Sequence, residues 1–475
     1  MQCNSIDSIE FALKTLPRGL NATYDQIYFK IQDRLRPEKE LAERTIKWVM
    51  CAPLPLSSEV LLGAVRVSLE KDQIKIVNRV QQESLLSICE NLLMVDSAGC
   101  WRFFHLSARE YFEATQDPSQ NKFSFCAQVC FQSLITMFTP TISISASTDP
   151  DIASTPSHPA HPFSQHVRSF WPFYAVQLTE NDKSIIWLKR FLGSLEGSSP
   201  FFIQWGAQVS DGEFDFIDLF QVQRRNLGPF KTPIFAIAWF SLYKVLQGWF
   251  DNTKFDPFQK NEKGDSLLTI AAQAGCVPLC ADLISRGVSV NQDCVSDIYG
   301  SCLAAAAWCR EFETTKFLIE EGKADVDLPL SCGMYGNALT AAASRGDLAI
   351  VRYLVEDAKA EVNARMETGY FGSPLAAAAA DPSYKGLKVV RYLVENAQAE
   401  VNVQLQAGAF GSPLAAATTS LTGLETVKYP VEEAQADVNL LLESGNYGSA
   451  LASAVGSSYG LEITRYLNRG GPCRR

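Results

Sequence analysis

Histidine is scarce in this chain, with four in 475 residues, and Lys plus Arg (42) fall short of Asp plus Glu (52), giving a net charge of −10. So few imidazoles leave little material for His-based nucleophilic catalysis. The negative balance is opposite in sign to the footprint that duplex DNA or an anionic membrane surface requires. Long apolar runs are also missing. The longest, Pro233 to Phe250, is interrupted by Lys244 and Gln247 and falls short of the ~20 residues of a spanning helix. Thirteen scattered cysteines, among them Cys51, Cys89, Cys302 and Cys309, are too sparse for a disulfide scaffold and suit a reducing, cytoplasmic setting. The start, Met1-Gln2-Cys3-Asn4-Ser5-Ile6-Asp7, lacks the basic and then apolar stretch of a secretory leader, so the sequon at Asn21-Ala22-Thr23 is expected to go unused. No Gly-x4-Gly-Lys-Ser/Thr loop occurs, and Lys263-Gly264-Asp265-Ser266 belongs to a repeat start. Nothing therefore cradles a triphosphate on a helix N-terminus, and no cofactor is expected.

What is present is globular composition, 47% apolar against 20% charged, at a length that accommodates two or three domains. The charge is uneven. Residues 1 to 263 hold 26 basic and 28 acidic side chains, whereas 264 to 475 hold 16 and 24. An internal repeat occupies that acidic half: Gly264-Asp-Ser-Leu-Leu, Gly300-Ser-Cys-Leu-Ala, Gly336-Asn-Ala-Leu-Thr, Gly372-Ser-Pro-Leu-Ala, Gly411-Ser-Pro-Leu-Ala and Gly448-Ser-Ala-Leu-Ala each open an Ala-rich run, at spacings of 36, 36, 36, 39 and 37. A degenerate start at Lys231-Thr232-Pro233-Ile234 makes seven.

Within each unit a small-residue helix is followed by one with apolar residues at i, i+3 and i+4, as in Leu348-Ala-Ile-Val-Arg-Tyr-Leu-Val, the pattern of two helices packed back to back in a stacked solenoid. The Thr232-Pro233-Ile234 and Ser373-Pro374-Leu375 turns, with the unit ends Val290-Asn291, Val326-Asp327, Val362-Asn363, Val401-Asn402 and Val438-Asn439, resemble ankyrin repeats. From Asn291, Asp327, Asn363, Asn402 and Asn439 to the next repeat Gly the interval is always nine residues, three longer than is usual in ankyrin repeats. Each connecting hairpin is therefore predicted to be a long finger with a Gly-x-aromatic-Gly tip. The tips carry Tyr299, Tyr335, Phe371, Phe410 and Tyr447, an aromatic ladder that either packs ring on ring or offers a protein-binding surface. On the second reading, Ser at Phe371 and Phe410 is expected to abolish partner binding without unfolding the chain. Pro430 stands where the preceding units have Leu354 and Leu393, which predicts a kink or a late helix start at that point.

In the first half, Thr23-Tyr-Asp-Gln26 reads as a capping box for an amphipathic helix, Glu38 to Cys51 as a second helix, and Ser57 as the cap of a third. A further helix near Leu85 to Leu92 precedes Leu93–Asp96 and Trp101–His105, which flank Ser97-Ala-Gly-Cys100 as a hairpin. Three helices with a hairpin make a winged helix. DNA reading is not expected of it, since residues 1 to 122 hold 15 basic and 16 acidic side chains and the phosphate-binding charge is missing. A metal site can be drawn from His158, His161 and His166 with Cys126 and Cys130, but the histidines lie in a Pro-rich stretch and buried apolar cysteines account for the pair. No metal is expected, and His105 reads as a structural hydrogen-bonding residue.

Leu16-Pro17-Arg18-Gly19-Leu20, Trp48 with Pro55-Leu56-Ser57, Phe104-His105-Leu106-Ser107-Ala108-Arg109-Glu110-Tyr111 and Phe170-Trp-Pro-Phe-Tyr-Ala175 resemble the segment that follows the NTPase in fungal NACHT-type NOD-like receptor proteins. The resemblance implies the C-terminal portion of such a receptor without its NTPase: a winged helix over 1–118, a helical connector over 119–230 and ankyrin repeats over 231–475. Within the connector the stretch at about 139–162, rich in Ser, Thr and Pro with no Lys or Arg, reads as a flexible loop. The fold class is mainly α, ending in an α-solenoid with long β-hairpin fingers. It further implies a non-enzymatic sensing and coupling arm that binds a protein through an acidic concave face and the fingers, with a NACHT NTPase in cis or in trans. The alternative is a stand-alone adaptor that binds and regulates an enzyme or NTPase supplied in trans.

Overall fold

The computed structural model describes residues 19–115, 121–139, 155–209, 227–228, 230–292, 298–420, 424–457 and 460–469. The chain divides into two compact units, Met1–Val222 with Val245–Asp251, and Gln223–Lys244 with Asn252–Arg475. No helix among the described residues is long and apolar enough to cross a membrane.

The first unit opens with helices Leu20–Gln32, Arg36–Cys51 and Ser58–Arg66, followed by the hairpin Val67–Glu70 (β1) and Gln73–Ile76 (β2), the helix Gln82–Ile88, a second antiparallel hairpin of Leu93–Val95 (β3) and Trp101–Phe103 (β4), and the helix Leu106–Thr115. This is a winged helix. Ser57 caps the third helix by accepting from the Val60 amide. The wing is fastened to that same cap: the Trp101 amide donates to the Leu56 carbonyl at 2.8 Å, the Ser58 amide to Gly99 at 3.1 Å, and the Trp101 indole to Ser58 Oγ at 3.0 Å. Buried Trp101 thus joins the hairpin to the helix with both its backbone and its side chain.

Two local readings are corrected. Thr23 is not a cap, because the helix begins at Leu20 and both the amide and Oγ1 of Thr23 donate to the Gly19 carbonyl. Its hydroxyl serves as a donor inside the first turn. The β1–β2 hairpin is absent from the sequence-based expectation. Its turn is Lys71-Asp72 at φ 50° and 61°, the paired left-handed conformation of a tight hairpin turn, here made without glycine. The Asp72 carbonyl accepts from Gln132 Nε2 at 2.7 Å, which anchors the turn.

The connector helices Ser124–Met137, Pro162–Val176, Ile185–Leu192 and Pro200–Val209 follow in this unit, which also takes in most of the helix Gln247–Asn252. Trp48 is fully buried among Phe163, His166 and Tyr174, at centroid distances of 5.5, 6.2 and 5.8 Å. Gly63 lets the third winged-helix segment approach the connector, since a Cβ there would meet His161 Cε1 at 2.4 Å. Of the expected loop at 139–162, residues 140–154 lie outside the described residues. In the stretch 155–162 the Pro156 carbonyl accepts from buried Ser164, and His161 Nδ1 caps the following helix by accepting from the Phe163 amide at 3.0 Å.

In the second unit the Ala-rich helices are Ile234–Trp239, Leu267–Gln273, Cys302–Cys309, Ala338–Ser344, Pro374–Ala380, Pro413–Ala417 and Ala450–Gly456. From the second onward each is capped by a side chain at its repeat start: Ser266, Ser301, Asn337, Ser373, Ser412 and Ser449 each accept from the backbone amide three residues on. That explains the Ser or Asn beside the repeat Gly, which satisfies an orphan N–H at about 1 kcal/mol per cap. The partner helices are Val277–Ser285, Phe312–Glu320, Leu348–Arg352 continuing as a π turn through Asp357, Tyr384–Glu395, Leu424–Glu432 and Gly460–Asn468. Pro430 does not delay its helix, which is in place by Leu424, the counterpart of Leu348. The Pro430 carbonyl still accepts from Ala436 at 2.8 Å, as Leu354 does from Ala360 and Leu393 from Ala399. The proline therefore forfeits its own N–H bond and keeps the closure of the turn.

Candidate interaction surface

The fingers are assembled by bonds between successive repeats. At their roots the Asn or Asp that ends each unit reaches to the next. Asp325 N donates to Asn291 Oδ1 at 2.8 Å, Glu361 N to Asp327 at 2.9 Å, Glu400 N to Asn363 at 2.8 Å, and Asp437 N to Asn402 at 2.7 Å. Only a short acceptor side chain can make this bond, which is the physical content of the Val-Asn ending. At the tips the backbone itself forms a ladder. Met334 N donates to Ile298 O at 2.8 Å, Tyr370 N to Met334 O at 2.7 Å, Ala409 N to Tyr370 O at 2.8 Å, and Asn446 N to Ala409 O at 2.8 Å. Among the described residues the fingers are built of bends without regular strand pairing.

Such close stacking requires glycine. Gly333, Gly369, Gly408 and Gly445 all have φ between 85° and 96°, a region other residues rarely adopt. A Cβ on Gly408 would also meet Tyr370 O at 2.7 Å, and one on Gly445 would meet Gly411 N at 2.7 Å. The second tip glycine is equally confined, with Gly372 facing Ala407 O and Gly411 facing Ser444 O at 2.4 Å.

The predicted aromatic residues come together as a stack. Tyr299 and Tyr335 are 6.4 Å apart at 21°, Tyr335 and Phe371 5.9 Å at 13°, and Phe371 and Phe410 6.1 Å at 26°. Tyr447 is half-buried, its ring beside Gly456. Tyr299, Tyr335 and Phe410 are buried and Phe371 is half-buried, the first two in a cluster with Ala304, Ala305, Leu330 and Ala341. Burial pushes the Tyr299 and Tyr335 phenols up, the latter to about 12. A Ser substitution at Phe410 therefore removes core area worth about 3–5 kcal/mol, and the expectation that such a change leaves folding intact is corrected. The exposed apolar side chains are the neighbours on the tips: Met334 at 40%, and Tyr370 at 46%, edge-on to Phe371 and Phe410 at 5.2 Å each. Which of two adjacent tip residues turns outward depends on the finger's register, which the sequence does not mark.

The partner helices carry a second ladder. Tyr353, Tyr392, Tyr429 and Tyr466 donate to Glu320, Glu356, Glu395 and Glu432 of the preceding unit at 3.2, 2.9, 3.0 and 2.8 Å. Desolvation first, and the carboxylate second, push the Tyr353, Tyr392 and Tyr429 phenols up to about 12. Arg352 and Arg391 lie over the Tyr392 and Tyr429 rings at 5.2 and 4.2 Å. A third row of exposed acids, Asp325, Glu361, Glu400 and Asp437, marks the finger roots. The acidity is thus drawn to the partner helices and the roots, while Arg310 and Arg345 stand at the ends of the Ala-rich helices.

The histidines serve structure. His166 Nε2 meets Tyr174 Oη at 3.0 Å in the core, where burial holds the imidazole down to about 3. His158 and His161 accept from backbone amides. His105 Nδ1 accepts from the Ser107 amide and meets Ser107 Oγ at 2.7 Å, starting the helix Leu106–Thr115. Among the described residues no group of His, Cys, Asp or Glu is arranged to hold a metal, and Cys126 and Cys130 are buried free thiols.

Comparison with known proteins matches residues 33–125 to the family described as GPI inositol-deacylase, winged helix domain, and residues 337–367 to the ankyrin repeat family. Among solved structures, the human ASB11 ankyrin repeat domain is similar at 20% identity and a TM-score of 0.40, over 51% of this chain and 100% of that one. No curated protein matches the sequence.

Proposed function

We propose that the chain is the ligand-sensing and coupling arm of a NOD-like receptor system, in which the repeats bind a protein and the winged helix relays that event to a NACHT NTPase in cis or in trans. Its premise is that ankyrin repeats make this a non-catalytic protein-interaction module. The observation that carries the reading is the pairing of a winged-helix match over 33–125 with repeat fingers that are pre-stacked and expose Met334 and Tyr370. A surface held by the ladder through Tyr299, Tyr335, Phe371 and Phe410 loses little conformational entropy on binding. Those four residues with Tyr447 frame the contact, and Met334 and Tyr370 touch the partner. The ten cysteines among the described residues are all free, which supports a reducing, cytoplasmic setting.

The reading is tested by sequencing the native transcript upstream of the Met1 codon. An in-frame phosphate loop and NTPase supports a receptor arm. A stop codon there, with no NTPase co-purifying with the native protein, overturns it and leaves a stand-alone binding protein.

A further inference from the structure

The turns after the Ala-rich helices Leu267–Gln273 and Ala338–Ser344 use a left-handed residue, supplied by Gly275 (φ 69°) and Gly346 (φ 62°), whereas the turn after Pro374–Ala380 does not, with Asp381 at φ −59°. Between the Gly275 and Gly346 turns Arg310 takes the same left-handed conformation, at φ 67°, with a full side chain. A non-glycine residue held in this way is costly, and at this turn Ser241, at φ 55° in the first repeat, shares the conformation. The Arg310 side chain is exposed, and its Nη2 donates to the Arg345 carbonyl at 2.6 Å. The Arg345 guanidinium in turn lies over the Trp308 ring at 4.5 Å, and its Nε is buried with no hydrogen-bond acceptor. Trp308 is half-buried and packs on Tyr299 at 5.5 Å and Tyr335 at 6.3 Å, the first rungs of the finger ladder.

Neither arginine has a carboxylate within ion-pair distance among the described residues, whereas Arg286, Arg365 and Arg391 all do. The acids of the neighbouring turns point or bond elsewhere. Glu311 directs its carboxylate to the space beside Gly275, Asp347 accepts from the Ala349 and Ile350 amides, and Asp381 accepts from Ser383. Two guanidiniums without a carboxylate, set beside an aromatic ring in a half of the molecule with excess acid, form an isolated cationic and aromatic patch.

We propose that Trp308, Arg310 and Arg345 form a docking site for an acidic segment of a partner protein. The guanidiniums take an Asp or Glu carboxylate, for which Arg geometry is suited, and Trp308 receives the apolar side chain beside it. Arg and Trp are the residue types that dominate protein interfaces. The inference rests on the reading of the repeats as a protein-binding surface and deepens it.

The test uses the full chain and fluorescein-labelled peptides of one length: an Asp/Glu-rich peptide with a central Leu, its Asn/Gln counterpart and its Lys counterpart, followed by anisotropy at low and high salt. The acidic peptide is expected to bind at least ~10-fold more tightly than the others, and Arg310→Gly to lose that ~10-fold, the equivalent of one charge-assisted contact. Glycine suits the left-handed turn, so this variant is expected to keep or raise its unfolding midpoint, which separates lost binding from lost folding. Arg345→Gln is the second variant. Equal or absent binding of the three peptides overturns the proposal, as does undiminished acidic-peptide binding in both variants. If a native protein partner is lost with Tyr370→Ser but retained by both arginine variants, this site fails and the interaction reading stands. If acidic-peptide binding follows the arginines but the native chain binds no protein, the site stands and the receptor reading fails.

Discussion

Replacing Gly408 with Ala tests the stacked-finger geometry most sharply, because two separate costs can be read from one position. At φ 94° a residue with a Cβ is destabilised by about 1–2 kcal/mol in the left-handed backbone region. The added methyl also lands 2.7 Å from Tyr370 O and 3.0 Å from Gly372 N, backbone atoms of the preceding finger that cannot rotate away, and overpacking of this kind costs about 1–3 kcal/mol. Gly287 is the control. It has φ 92°, and a methyl added there would have nothing within 4 Å, so Gly287→Ala carries the backbone cost alone. In urea unfolding of the full chain, Gly408→Ala is expected to be less stable than Gly287→Ala by about 1–3 kcal/mol. Hydrogen exchange should quicken at the Ala409 and Asn446 amides and leave Met334 unchanged, since neighbouring repeats carry most of each repeat's stability. Equal losses for the two variants would refute the claim that the fingers pack backbone to backbone.

Tyr392→Phe removes the bond to Glu356 and is expected to cost about 1 kcal/mol at neutral pH. Because the folded phenol titrates near 12, above its ordinary 10, its stabilisation is complete below pH 10 and is lost as pH rises toward 12. The wild type should therefore lose its advantage over Tyr392→Phe across that interval in pH-dependent denaturation. His166, held down to about 3 by burial, works in the opposite sense. Its contribution is present above pH 6.5 and lost as pH falls toward 3, so His166→Gln should flatten the acid limb of the first unit's stability curve. Pro430→Leu restores the helix N–H found in the sister repeats. A gain of about 2 kcal/mol is expected, roughly 3 from the interior proline less about 1 for the greater freedom of the unfolded chain, measured as a raised urea midpoint.

The solenoid was legible because its determinants are local. The repeat Gly with Ser or Asn, then Leu and alanines, specifies a cap and a closely packed helix within a few residues. The nine-residue interval pointed to the fingers, and the Gly-x-aromatic-Gly tips to the ladder from Tyr299 to Phe410. What escaped joins residues a whole repeat apart. Tyr392 and Glu356 are individually ordinary, and only the stacking rotation brings phenol to carboxylate. The left-handed Arg310 was equally hidden, because it occupies a glycine position without glycine's signature. In the first unit the capping-box pattern at Thr23 was outcompeted by a helix that begins one turn earlier, at Leu20. The Lys71-Asp72 hairpin turn lacks the Asn-Gly or Asp-Gly that makes such turns visible.

The central claim is that the fingers form one pre-organised surface, and the most direct measurement is residue-resolved hydrogen exchange of the free full chain at the amides of Met334, Tyr370, Ala409 and Asn446. The account predicts that all four are protected well beyond the rates of open loops, because each donates to the preceding finger at 2.7–2.8 Å and local opening must break that ladder. Exchange at unprotected loop rates while the Ala-rich helices stay protected would contradict it, leaving the fingers as independent loops and the aromatic stack as no scaffold for binding.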